Sequence, residues 1–200
     1  METFDDIGMP FPLFRAPIAH AVTDPAGNCA ICGDSASIRF SESCYNCLRA
    51  GKVDNTLDTE LGMVRVEDAL NGMTHGLPLG NPPVLGDYEL VAHPVDPNFP
   101  DETWYHVRID SEHLLEMLRS PNYHTWQGDS WQFCCKRPCA FLGSLPAGAL
   151  PDSATPADAI AHWFQSPDWD SIGNNDFGSL TYYVFQCVAC GGMRFHEDCD

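Results

Sequence analysis

Basic residues are scarce in this sequence. Ten Lys and Arg face 28 Asp and Glu across 200 residues, a formal net charge of -18. A surface charged in this way repels phosphate backbones and anionic lipid headgroups, so no nucleic acid and no membrane is expected as a partner, and a basic protein is favoured. Long apolar runs are missing as well, since none approaches the roughly 18 residues that a membrane span requires. Residues 1–14, METFDDIGMPFPLF, carry acids where a secretory signal would carry Lys or Arg, and Pro10 and Pro12 break the only apolar stretch. These absences lead us to expect a cytoplasmic protein with reduced thiols.

Catalytic signatures are also missing. The histidines, His20, His75, His93, His106, His113, His124, His162 and His196, are scattered, and none sits in an H-E-x-x-H or G-x-S-x-G context. Each is expected to be structural. Asp168 and Asp170 flank Trp169 without the spaced ligands and closing Glu of a calcium loop, and read as a solvated acidic face. Gly191 and Gly192 follow a cysteine pair and form no phosphate loop. The expectation is a protein that is not an enzyme.

What is present is cysteine, ten in all, set among 16 Gly and 16 Pro. Two C-x-x-C pairs, Cys29 with Cys32 and Cys44 with Cys47, fall within nineteen residues. In such a knuckle both sulfurs can converge on one point, so two knuckles supply the tetrahedral thiolate set of a structural zinc site. Gly33, directly after Cys32, supplies the backbone freedom that a tight turn needs. A third pair, Cys187 and Cys190, lies near the end in CVACGG and lacks two ligands. The segment WQFCCKRPCAF is the rich source for them. Adjacent Cys134 and Cys135 should point in different directions, so Cys135 with Cys139 is the expected pair. Cys134 replacing Cys135, or Cys199 or His196 displacing one of the pair, stays open.

Four thiolates close a zinc ion to substrate, so both Zn2+ sites are read as structural. Each carries a formal charge of 2 - 4 = -2, taking the chain from -18 to about -22. Lys136, Arg137, Arg194, Arg39, Arg49 and Lys52 are expected to offset that charge locally.

The fold class expected is α+β and loop-rich, with small zinc-knuckle modules, short strands and a few short helices. Residues 1–55 form an arm and the first knuckle module, 56–110 a loop-rich segment with a strand pair, and 111–200 a helical segment and the second zinc module, packed with the first as one unit. Strands are predicted over 36–40, 87–92, 103–109 and 180–185. A helical hint covers 64–70, Ser111 reads as the cap of a helix that Pro121 stops, and a second short helix is predicted over 156–164.

The stretches FPLFRAP, CAICG, CYNCLRAG, WQGDSWQFCCKRPCAFLG and YVFQCVACGG together resemble the CbrC family of bacterial colicin-tolerance proteins. The likeness spans both ends and the middle but leaves out roughly 56–110, which reads as a possible insertion. In that family a His usually stands where Cys134 does here, which supports pairing Cys135 with Cys139. The resemblance implies an immunity or tolerance protein that neutralises a nuclease toxin, a basic protein, through an acidic surface. A zinc-supported adaptor in a bacterial stress response is the alternative. Trp104, Tyr105, Trp126, Trp163 and Trp169 are candidate anchors for a partner.

Overall fold

The computed structural model describes residues 2–78, 88–93, 98, 100, 104–146 and 180–198. The predicted helix over 156–164, Trp163, Trp169 and Cys199 lie outside them. Among the described residues regular structure is short, as the Gly and Pro content implies.

After an extended arm, β1 (Gly27–Asn28) pairs antiparallel with β2 (Ser35–Ala36), and β3 (Arg39–Phe40) with β4 (Ser43–Cys44). The predicted strand over 36–40 is thus two strands with different partners. α1 (Tyr45–Arg49) follows at once. β5 (Thr56–Leu57) pairs with β6 (Val64–Arg65), which runs into α2 (Val66–Leu70), so the helical hint over 64–70 begins as strand.

β7 (Leu77–Pro78), β8 (Leu90–Ala92) and β9 (Trp104–Val107) form an antiparallel sheet with β9 in the centre. The aromatic and β-branched content of this hairpin suits a pleated surface. α3 (Ser111–Leu118) is capped by Asp110, whose Oδ1 accepts from the Glu112 amide at 2.8 Å, and not by Ser111. The carboxylate one position earlier satisfies the free amide first, which makes Ser111 the first helical residue. Leu114, Met117 and Leu118 are its buried face.

β10 (Phe133–Cys134) and β11 (Arg137–Pro138) make a tight hairpin. β12 (Ala140–Pro146), β13 (Thr181–Gln186) and β14 (Met193–Asp198) form a three-stranded sheet with β13 in the centre. Its residues Thr181 to Phe185 are all buried, which is why this stretch reads as a continuous apolar run and not as an alternation.

One cluster of buried side chains joins the arm to the rest of the fold. Phe4, Phe11 and Phe14 of the arm pack on Phe40 and Phe141, and Phe141 stacks on Tyr123 with ring centroids 4.5 Å apart. The Arg15 amide donates to the Phe141 carbonyl at 2.9 Å and the Phe141 amide to Leu13 at 2.8 Å, which lays the arm along β12. Trp131 is fully buried, and its indole N–H donates to the Cys139 carbonyl at 2.9 Å. Full burial of each such ring contributes on the order of 1.5–3 kcal/mol.

Candidate metal centres

The first cysteine cluster is built by two local devices. In the knuckle, the Gly33 amide donates to the Cys29 carbonyl at 2.9 Å, and Gly33 takes φ 81, the left-handed region that favours glycine. The hairpin of β3 and β4 then turns through Ser41 (φ 46) and Glu42 (φ 64) and delivers Cys44 as the cap of α1, with Cys47 inside that helix. The Ala30 amide donates to the Glu42 carbonyl at 2.9 Å, so knuckle and turn are tied together. All four sulfurs, of Cys29, Cys32, Cys44 and Cys47, lie within 4.8 Å of one another.

The second knuckle repeats the first. Gly191 takes φ 73 and donates to the Cys187 carbonyl at 2.9 Å. The Ala189 amide reaches the Cys187 sulfur at 3.4 Å, as the Ile31 amide reaches the Cys29 sulfur at 3.4 Å. The other half differs. Cys135 (φ 53) and Lys136 (φ 59) are the two central residues of the β10–β11 turn, the paired left-handed geometry of a type I′ hairpin. That geometry turns the Cys134 and Cys135 sulfurs to one side, 3.8 Å apart, and Cys134 lies 3.7 Å from Cys190. The second set is therefore Cys134, Cys135, Cys187 and Cys190.

This corrects the expected pairing of Cys135 with Cys139. Adjacent cysteines diverge in an extended strand but not across a left-handed turn. Cys139 lies back along the hairpin in the apolar core, where burial first of all pushes its thiol up. His196, the outside candidate, stacks on Tyr183 instead, with centroids 5.8 Å apart.

The donor sets fit a tetrahedral ion. Bonds of about 2.3 Å from zinc to four thiolates imply sulfur separations of about 3.8 Å. The Cys32 to Cys44 separation is 3.8 Å, beside the 3.7 Å and 3.8 Å of the second set. A disulfide would need about 2.05 Å. In each set one thiol is held down to about 6. For Cys29 the leading cause is the Cys32 amide, with the Cys44 and Ile31 amides adding to it against burial. For Cys187 burial pushes up, and the amides of Cys190 and Ala189 outweigh it. Both are thus predisposed to the thiolate form that binds metal.

Of the bases expected to offset the sulfur charge, Arg194 does so, reaching Cys134 at 3.5 Å. Arg49 is engaged with Glu116 at 2.7 Å and 3.1 Å, and Arg39 with the carbonyls of Pro25 and Asn28.

A third group was not foreseen. His75, His93 and His106 bring ring nitrogens within 4.8 Å of one another. His75 is held below its usual value, by burial first, with His93 and His106 pushing the same way and Asp68 against them. The register of β8 on β9 sets Val91 opposite His106 and so puts His93, two residues on, on the same face.

The fold and its sites define a small cysteine-rich protein whose short hairpins hold two four-cysteine clusters able to bind metal ions. The chain belongs to UPF0167, described as an uncharacterised protein family, whose model matches residues 10–199. It is similar to UPF0167 protein PA1536 of Pseudomonas aeruginosa, 32% identical over 87 residues, which cover 40% of this chain and 48% of that protein. The chain thus spans about half the length of that relative. No solved structure matches it. These findings overturn the resemblance to the CbrC family, because family model and relative both bear the UPF0167 name.

Proposed function

We propose that the protein is a non-catalytic binding protein in which two closed zinc sites hold an acidic surface in shape for a basic protein partner, of which a nuclease toxin is the specific form. The observation that carries this reading is the pairing of a -18 net charge with two all-cysteine donor sets. Zinc suits four thiolates in tetrahedral array better than the other common ions, and a filled shell leaves no position for substrate. With both sites loaded the chain approaches about -22, a field that steers a basic partner and rejects nucleic acid.

A cytoplasmic setting keeps such thiols reduced. No helix among the described residues is long and apolar enough to cross a membrane.

The test is co-expression with the basic proteins encoded beside it, followed by gel filtration. The expected result is a complex that carries about two zinc ions per copy of this chain and associates more slowly as salt rises. Failure to bind or protect against any neighbouring basic protein overturns the partner, and protein purified without zinc overturns the scaffold.

A further inference from the structure

The three histidines form a site of a different kind from the cysteine clusters. They come from three positions far apart in sequence that one small sheet brings together: His106 on central β9, His93 directly after β8, and His75 two residues before β7. Their rings pack at centroid separations of 4.7, 5.1 and 4.9 Å. None belongs to the buried core, so apolar packing does not account for their convergence.

The backbone beneath them is fixed. The His75 amide donates to the Met63 carbonyl at 2.7 Å and the His93 amide to Trp104 at 2.7 Å. Thr74, directly before His75, is fully buried, with its hydroxyl donating to the Leu61 carbonyl at 2.6 Å and its amide to the Val107 carbonyl at 2.9 Å. The Thr74 carbonyl stands 2.8 Å from Nδ1 of His106. A carbonyl can only accept, so Nδ1 carries the hydrogen and Nε2 is left with its lone pair. That is how metal-binding histidines are oriented, by a backbone acceptor that fixes the tautomer from behind.

We propose that His75, His93 and His106 form a third metal site, which takes a divalent first-row transition ion through three imidazoles. Imidazole donors suit Zn2+, Cu2+, Ni2+ and Co2+, and three protein ligands leave a coordination position for water or another small donor. The site shares no residue with the cysteine clusters. It stands or falls independently of them.

The test is calorimetric titration of the full chain, its cysteine sites as purified, with Zn2+ alone. The expected result is one further equivalent, absent or at least about 100-fold weaker in His93→Ala and in His75→Ala. Equal binding by wild type and both variants overturns the site, and so does the lack of a further equivalent. Should either variant fail to fold, the wild-type protein decides by NMR. The imidazole signals of His75, His93 and His106 move together on adding Zn2+ if the site is real, while movement confined to other histidines overturns it.

Discussion

The two cysteine clusters share one half and differ in the other. Both use a C-x-x-C-G knuckle with the same hydrogen bonds, and both contain a hairpin turn with two non-glycine residues in left-handed geometry. In the first cluster that turn, Ser41 and Glu42, only guides the chain toward Cys44 and Cys47. In the second the turn and its leading strand residue supply two members of the cluster, Cys134 and Cys135. The first cluster closes within nineteen residues, and Cys29, Cys44 and Cys47 pack together apart from the main core. The second spans from Cys134 to Cys190, with Cys134 and Cys187 inside the main core. A metal that closes a long loop contributes more to the fold than one that closes a short loop.

The sharpest way to break this comparison is a matched pair of substitutions. Cys32 and Cys190 are both exposed and both close a knuckle. Cys190→Ala is expected to lower unfolding free energy in urea by about 4–5 kcal/mol, and Cys32→Ala by about 1 kcal/mol less, the difference that loop length makes. Equal losses would mean that the two clusters support the fold alike.

The joint between the two regions is open to pH. His20 lies in the N-terminal region, and its Nδ1 accepts from the Ser144 amide on β12 at 3.1 Å. Burial first, and His124 second, lower it from 6.5 to about 4. Because the folded value lies below the unfolded one, this contribution is complete above pH ~6.5 and is lost as pH falls toward 4, with on the order of 3 kcal/mol at stake. His20→Gln should flatten that part of the stability profile, and an unchanged profile would remove His20 from the account.

Smaller effects follow. Cys139→Ala should cost about 1–2 kcal/mol, as a small core cavity does, with no loss of metal. Circular dichroism melts with metal analysis would show it. Lys136→Gly and Glu42→Gly should each stabilise by about 0.5–1 kcal/mol, since glycine meets no Cβ penalty at positive φ. A gain at Glu42 only would indicate that the turn beside Cys135 is held by its metal.

The knuckles were legible in the sequence because their spacing fixes their geometry locally. So were β13 leading into Cys187, the β8–β9 pair, and the helix before Pro121. The second ligand pair was misread because the sequence displays adjacent cysteines but not the backbone angles at Cys135 and Lys136 that turn both sulfurs inward. Nothing in CCKR supplies the Gly or Asn that would announce a type I′ turn. The histidine site was hidden for a different reason. His75, His93 and His106 are neighbours only through strand register, which a motif search along the chain does not see.

The most direct test of the account is the count of chelator-resistant zinc per chain, by native mass spectrometry, in wild type, Cys139→Ala and Cys134→Ala. Two, two and one ions are predicted, because Cys134 belongs to the second cysteine cluster and Cys139 does not. One ion in Cys139→Ala and two in Cys134→Ala would contradict it.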